Sequence, residues 1–200
     1  MIKAIIFDYG NVIETVDRNM FLKGLAGKHT DKTVHQLDEL IYGSELLLNY
    51  EKGLLTSGEM FKKVVRMCGL SISKQEFEKV FTSICKPIPS TIRLIRKLKK
   101  NYKIGILSNT NELCFKNIIM VSEIFPLFDA VTVSYKLKSM KPERKIFNDI
   151  INKLKLAPQE CVFIDDMAEY TEAACKSGIK GIHYTTHKRL IEKLKKYGIS

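Results

Sequence analysis

The residues of this chain that are best suited to chemistry lie in four short polar clusters spread along the sequence. The first is Asp8, which ends an apolar, mostly β-branched run and is followed closely by Gly10. A strand that stops at an aspartate places the carboxylate at a sheet edge, and a nearby glycine lets the backbone approach a ligand. Because an isolated aspartate at a strand end is also typical of a turn or a helix cap, its role depends on the other clusters.

The second cluster is Ser108-Asn109, directly after the apolar run at residues 103–107. A hydroxyl, an amide and free backbone N–H groups at a strand end can hold a phosphoryl oxygen. The third cluster contains Lys141, whose ammonium group can neutralise a phosphate or a carboxylate. Taken singly, Ser108-Asn109 is more typical of an ordinary capped loop and Lys141 of a surface lysine.

The fourth cluster is the pair Asp165-Asp166, which follows the apolar residues 162–164. Two adjacent carboxylates at the end of a buried strand repel each other unless a cation or hydrogen-bond donors compensate their charge. Hard oxygen ligands suit Mg²⁺, which is commonly bound by one or two carboxylates together with waters and a substrate phosphate. The pair therefore favours a magnesium site over a helix-capping role.

The elements that must position these clusters alternate along the chain. Apolar runs typical of buried strands occur at residues 2–7, 102–107, 129–133, 161–164 and 179–184. Helical patterns occur between and after them, at residues 91–100, 112–120, 143–154, 169–177 and 187–197. Alternation of this kind predicts an α/β fold with a Rossmann-like, doubly wound parallel sheet. In such a sheet ligands bind outside the carboxyl ends of the strands, where the polar clusters would meet.

The first two predicted strands are separated by far more chain than one connecting helix needs, since a strand-helix-strand unit requires about 30 residues. The intervening residues carry helix signals, including the sequences of capping boxes at residues 56–59 and 73–76 and a possible helix stop at Gly69. We therefore predict a helical cap at residues 16–85, inserted into a catalytic core formed by residues 1–15 and 86–200.

The composition excludes several classes of protein. A formal net charge of +11 could indicate a polyanion partner, but the basic residues at 92–100 alternate with apolar ones at helical spacing, as on a solvated helix face. Nucleic-acid binding is therefore not favoured. Five cysteines without a Cys-x-x-Cys pair indicate neither a disulfide framework nor a zinc site. The first apolar run is broken by Asp8, too early for a signal peptide or membrane span, so we expect a cytoplasmic protein without a membrane partner.

An aspartate, then Ser-Asn, then Lys-Pro, then an Asp pair, in this order, resembles the motif set of the haloacid dehalogenase-like superfamily, over residues 2–184. The resemblance implies a nucleophilic Asp8 that forms an aspartyl-phosphate, with Ser108, Asn109 and Lys141 binding the substrate. It also implies Mg²⁺ held by Asp8, the Gly10 carbonyl, Asp165 and Asp166, with Asp165 either a ligand or a carboxylate behind the ligands. The expected activity is hydrolysis of a small phosphorylated metabolite, and an early helical cap is a known arrangement in this superfamily.

Two residues depart from the pattern of the superfamily. Its phosphatases usually have a second aspartate two positions after the nucleophile, as general acid and base, and here that position is Gly10. Glu14 and Asp17 are candidate replacements. Tyr170 stands where one form of the last motif has asparagine. The sequence from residue 7 to residue 12 also resembles that of bacterial sugar-phosphate phosphatases of the glucose-1-phosphate type, whose anomeric oxygen leaves more readily than an ordinary alcohol.

Two other functions stay open on the sequence alone. Haloacid dehalogenases use the same nucleophile and lack the second aspartate, because a halide leaves without a proton, but they would not be expected to keep an Asp pair. The alternative is a catalytically impaired regulatory or binding protein that keeps the fold, which Gly10 and Tyr170 would allow.

Overall fold

The computed structural model describes residues 1–199, and its central element is a five-stranded parallel sheet. The strands along the chain are β1 (Ala4–Phe7), β2 (Glu14–Val16), β3 (Cys85–Pro87), β4 (Lys103–Ser108), β5 (Ala130–Val133), β6 (Cys161–Asp165) and β7 (Lys180–His183). The order in the main sheet is β5-β4-β1-β6-β7, and all its pairings are parallel. The predicted doubly wound α/β fold is thereby confirmed, with β1 at the centre of the sheet.

Helices cover both faces of this sheet and also form a separate layer above it. They are α1 (Arg18–Leu25), α2 (Val34–Ile41), α3 (Leu46–Glu51), α4 (Ser57–Cys68), α5 (Lys74–Thr82), α6 (Pro89–Leu98), α7 (Glu112–Cys114), α8 (Ser134–Leu137), α9 (Arg144–Leu154), α10 (Ala168–Lys176) and α11 (His187–Lys196). The predicted helix at residues 112–120 is α7 followed by a π-helical turn, Phe115–Ile119. None of the helices within residues 1–199 has both the length and the apolar character needed to cross a bilayer.

Successive side chains of the central strand, β1, pack against helices on opposite faces of the sheet. In β1, Ile5 and Phe7 belong to the apolar cluster formed with α6 and α11, whereas Ala4 and Ile6 belong to the cluster formed with α9 and α10. Successive side chains of a strand point to opposite faces, so a strand covered on both sides must be apolar throughout. Each large aliphatic side chain buried in this way contributes about 1.5–3 kcal/mol.

Helices α1 to α5 pack around an apolar cluster of their own. Its centre is aromatic, and the ring of Phe21 meets the rings of Phe77 and Phe81 edge-on at centroid distances of 5.6 and 5.1 Å. Thr56 caps α4 through a complete capping box with Glu59, and Gly69 ends that helix in the left-handed conformation, with a φ of 62°. We use "cap" for residues 16–85; its boundaries stay a prediction.

A small antiparallel ribbon joins the cap to the rest of the chain, and the sequence did not indicate it. Strand β2 pairs with β3, with Val16 opposite Cys85. Each strand has only three residues, and polar residues interrupt both, so neither contains the apolar run that marks a buried strand. The ribbon makes both connections of the cap leave the core side by side.

Candidate active site

Polar residues meet at the carboxyl ends of three neighbouring strands. Because β1 lies between β4 and β6, the residues at the strand ends, Asp8, Ser108 and Asp165, come to one edge of the sheet. Oxygen atoms of Asp8, Asp165 and Asp166 lie within 4.8 Å of one another. Residues that are distant in sequence therefore form one cluster above the centre of the sheet.

Lys141 lies inside this cluster and is almost completely buried. Its Nζ is 2.6 Å from Oδ2 of Asp165 and 3.0 Å from Oδ1 of Asp8. Burial alone would lower the pKa of Lys141, but the negative charges of Asp8 and Asp165 outweigh burial and raise that pKa above its usual value. The ammonium group therefore stays charged beside the predicted nucleophile.

The side chain of Asn109 fixes the backbone of Lys141. The Lys141 N–H donates to Oδ1 of Asn109 at 2.8 Å, and Nδ2 of Asn109 donates to the Lys141 carbonyl at 3.1 Å. Because both ends of the amide are engaged, Asn109 positions Lys141, and its predicted contact with substrate stays a prediction. The hydroxyl of Ser108 makes only a long 3.5 Å contact to the Asn109 carbonyl, so it can turn towards a ligand.

The three carboxylates fit a hard divalent cation. Against three carboxylates the cluster has one ammonium group, which leaves two negative charges uncompensated. Oδ1 of Asp8 is buried without a hydrogen bond from residues 1–199, since its 3.0 Å contact with Lys141 has ion-pair rather than hydrogen-bond geometry. Burial and the charge of Asp8 raise the pKa values of Asp165 and Asp166, and the single charge of Lys141, which opposes the change, does not cancel it. Mg²⁺ would supply that charge, and the predicted ligand role of the Gly10 carbonyl stays open.

Neighbouring groups orient the Asp pair. Asp165 accepts a hydrogen bond from the Met167 N–H at 2.8 Å through Oδ1, so both of its oxygens are engaged once Lys141 is counted. Nδ2 of Asn11 donates to Oδ2 of Asp166 at 3.1 Å. Asn11 itself has a left-handed φ of 54° and accepts from the backbone of Val16. Asp166 thus keeps one oxygen free to bind a metal, whereas Asp165 mainly holds Lys141.

Tyr170 has a contact that the sequence did not suggest. Its ring lies under the Lys141 ammonium group, with Nζ 4.9 Å from the centroid, and the ring of Phe163 is 5.5 Å from the same atom. Aromatic faces attract a cation by about 0.5–2 kcal/mol. The residue that departs from the family motif therefore packs against the ammonium group of Lys141.

A cavity of about 360 Å³ lies between the cap and the strand ends. Gly10, Asn11, Ser108 and Asn109 line it from the core. The cap residues that line it include Arg18, Tyr42, Leu47 and Glu51, which the sequence gave no reason to single out. Burial raises the pKa of Glu51 to about 7, with the charge of Lys141 opposing the change and that of Asp8 adding to it. A glutamate at a helix end before a lysine has the sequence of a surface residue, so only the fold reveals it.

The two predicted replacements for the missing aspartate are used elsewhere. Glu14 accepts a hydrogen bond from the hydroxyl of Tyr9 at 2.9 Å and is buried. Asp17 caps α1 by accepting from the backbone N–H of Asn19 at 3.0 Å. Neither carboxylate lines the cavity, in contrast to Glu51.

Comparisons with known proteins agree with this geometry. The sequence model of one family, described as haloacid dehalogenase-like hydrolase, matches residues 22–184. D-ribitol-5-phosphate phosphatase of Bacteroides thetaiotaomicron is 30% identical over 178 residues, which cover 83% of this chain and 84% of that enzyme.

Two solved structures have the same fold. A haloacid dehalogenase family enzyme from B. thetaiotaomicron, in complex with magnesium and inorganic phosphate, is similar with a TM-score of 0.80 and 24% identity, covering 92% of this chain and 95% of that one. L-2-haloacid dehalogenase from Xanthobacter autotrophicus has a TM-score of 0.67 and 16% identity, with coverage of 100% and 85%.

The family match extends over most of the chain, from residue 22 in the cap to residue 184 in the core. The predicted fold is confirmed, and so is the predicted class of enzyme, a hydrolase. The chain belongs to the haloacid dehalogenase-like hydrolase family.

Proposed function

We propose that this enzyme is a magnesium-dependent phosphatase of small sugar or polyol phosphates that forms an aspartyl-phosphate on Asp8. One observation carries the proposal: Lys141 is paired with Asp8 at 3.0 Å while Asp166, which has no ion pair and keeps one oxygen free, lies in the same cluster. A nucleophile flanked by a fixed cation and by a site for a divalent one suits transfer of a phosphoryl group, whose transition state needs positioning and charge stabilisation.

Different residues have different roles in the first step, the formation of the aspartyl-phosphate. Asp8 attacks phosphorus, while the Lys141 ammonium and the Ser108 hydroxyl bind phosphoryl oxygens. Mg²⁺, held by Asp8 and Asp166, would neutralise charge on the phosphoryl group and orient it. Asn109, Asp165 and the ring of Tyr170 keep Lys141 in place.

The size and lining of the cavity support a small substrate. A volume of about 360 Å³ is at the low end of the range for ligand sites, about 300–1,000 Å³. Apolar and aromatic residues such as Leu47 and Phe81 form much of its wall, and Arg18 stacks on the ring of Tyr42 at 5.3 Å. The relationship to D-ribitol-5-phosphate phosphatase favours a phosphorylated polyol or sugar over a nucleic acid.

A substrate panel tests the proposal. The wild-type protein is assayed for phosphate release from ribitol 5-phosphate, sugar 1- and 6-phosphates and nucleotides, with Mg²⁺ or with a chelator. We expect Mg²⁺-dependent turnover of at least one sugar or polyol phosphate. Asp8→Asn should lower the rate of that turnover by at least about 10³-fold.

The same panel separates the alternatives. Release of halide from 2-haloacids in the presence of chelator, with no phosphate released, would establish the dehalogenase function instead. A folded wild-type protein that hydrolyses none of the phosphate esters would favour a regulatory or binding role. The Asp pair beside Asp8 is the observation against the dehalogenase, because halide displacement has no need of a metal-binding carboxylate.

A further inference from the structure

The proposed reaction needs a proton for the leaving oxygen of the substrate, and the residues assigned so far do not supply it. When the bond from phosphorus to the substrate oxygen breaks, that oxygen takes the electron pair, and a sugar or polyol alkoxide is a poor leaving group unless it is protonated. A positioned general acid contributes about 10²- to 10⁴-fold to such a step. Gly10 occupies the position of the usual acid and has no side chain.

Glu51 is the acidic residue among those that line the cavity. Its carboxylate has no hydrogen bond or ion pair with any group of residues 1–199, although the residue is largely surrounded by protein. Tyr42 and Cys114 line the same cavity, but burial raises both of their pKa values, so they remain neutral. A half-buried, unpaired carboxyl group that faces a substrate cavity has no structural role that would account for it.

The backbone at Glu51 is fastened to the core. Oγ of Ser134 donates to the Glu51 carbonyl at 2.6 Å, and the next residue, Lys52, pairs with Glu143 at 2.6 Å. Gly53 then has a φ of 73°, and a Cβ there would overlap the Tyr135 carbonyl. Three consecutive residues therefore fix the end of α3 against the core, so Glu51 has a defined position over the strand ends.

The direction of the reaction places the leaving oxygen on the side of Glu51. Attack on phosphorus is in line, so the leaving oxygen lies opposite Asp8. Asp8 follows β1, and its neighbours Gly10 and Ser108 line the core side of the cavity, whose cap side includes Glu51. We propose that Glu51, supplied by the cap, is the general acid and base of this enzyme in place of the aspartate absent at Gly10; this inference rests on the proposed phosphatase function.

The proton balance closes over both steps. As Asp8 forms its bond to phosphorus, the bond to the substrate oxygen breaks, and that oxygen takes the proton of the Glu51 carboxyl group to leave as an alcohol. Glu51, now a carboxylate, accepts a proton from a water molecule whose oxygen attacks phosphorus. The bond to Asp8 breaks, phosphate leaves, and Glu51 is protonated again.

The electrostatic surroundings of Glu51 suit this cycle. Burial raises its pKa to about 7, near the pH at which a group can both give and take a proton. The charged groups that act on it are Lys141, which favours the carboxylate, and Asp8, which favours the acid. Tyr42 and Cys114 also face it and add no charge while they are neutral.

The role of Glu51 is tested by assaying the Glu51→Gln variant with two substrates that differ in their leaving group. With the best alkyl phosphate of the panel, which needs a proton to leave, we expect kcat to fall by about 10²-fold or more with little change in KM. With p-nitrophenyl phosphate, whose anion leaves unprotonated, we expect a burst of one nitrophenolate per enzyme followed by slow turnover. The phosphoenzyme should then accumulate and be visible by intact mass.

Controls make the outcome specific. Glu45→Gln changes an exposed glutamate next to the same helix and should leave both substrates unaffected. Unchanged alkyl phosphate turnover in Glu51→Gln, a rise in KM alone, or equal losses on both substrates without a burst would overturn the inference. If Glu51→Gln does not fold, Glu51→Asp must show the same two effects in weaker form: a lower kcat for the alkyl phosphate and a burst with p-nitrophenyl phosphate. A wild type inactive on all phosphate esters would overturn the proposed function as well.

Discussion

The hydroxyl of Ser134 donates a 2.6 Å hydrogen bond to the carbonyl of Glu51, and the same oxygen accepts from the Thr110 N–H at 2.9 Å. Ser134 follows β5 and is completely buried, so it is a rigid part of the core. Through this contact a cap residue takes its position directly from the sheet. The cap therefore does more than close the cavity, since it adds a titratable group to the site.

Magnesium should stabilise the folded protein as well as support turnover. A ligand at about 100 times its dissociation constant stabilises by about 2.7 kcal/mol, which corresponds to a rise in Tm of roughly 5–10 °C for a chain of this size. Differential scanning fluorimetry with and without Mg²⁺ measures this shift. Asp166→Asn should remove it, whereas Glu172→Gln, an exposed change on α10, should not. An equal shift in Asp166→Asn and wild type would exclude Asp166 as a ligand.

Lys141→Met should destabilise the protein by about 3 kcal/mol at pH 7, because it leaves buried carboxylates without their cation. Burial raises the pKa of Asp165, and loss of the lysine raises it further, so the penalty exists above the unfolded pKa and shrinks as pH falls towards it. Urea denaturation without Mg²⁺ at pH 7 and 5 should show the larger loss at pH 7.

Two matched variants complete the Lys141 experiment. Asp165→Asn in the Lys141→Met background should recover part of the lost stability, because it removes the unpaired charge. Lys145→Met, at an exposed position of α9, should change stability by less than about 0.5 kcal/mol. A pH-independent loss in Lys141→Met would mean that packing, and not charge, explains the effect.

Glu51→Gln should stabilise the protein at neutral and alkaline pH. The pKa of Glu51 is raised from 4.5 to about 7 in the folded state, so ionised Glu51 opposes folding. The penalty is absent below the unfolded pKa, grows between pH 4.5 and 7 and is constant above that. We expect a gain of about 1–2 kcal/mol at pH 8 and almost none at pH 4.5, from urea midpoints compared with Glu45→Gln. A gain that does not depend on pH would contradict the raised pKa.

Gly10→Asp should restore an acid to Glu51→Gln. A Cβ at position 10 would lie 3.3 Å from Cγ2 of Val16, a side chain that is 41% exposed and free to shift. We expect the double variant to turn over an alkyl phosphate at least about tenfold faster than Glu51→Gln, because a new carboxyl group can protonate the leaving oxygen. Gly10→Asn in the same background is the control of equal size, and it should give no rescue.

Much of the core could be predicted from local sequence. The strands that end at Asp8, Ser108 and Asp165 are continuous apolar runs, and parallel pairing necessarily brings their ends together. Glu51 could not be predicted, because its position depends on the contact of its carbonyl with Ser134 and of Gly53 with Tyr135, which no local pattern records. The ribbon of β2 and β3 was missed for a related reason, since pairing between distant three-residue segments stabilises it.

The position of Glu51 on α3 has a consequence for how such enzymes diversify. In relatives with both aspartates on the loop after β1, a new cap can change substrate preference while the reactive groups stay behind in the core. With Glu51 in its proposed role, the cap would carry both the residues that recognise the substrate and the general acid, so the two would be inherited together. Recombination that exchanged this cap for one without a matching glutamate would yield a protein that still binds phosphate esters but turns them over slowly. An acidic residue at position 10 would have to be gained at the same time to prevent this.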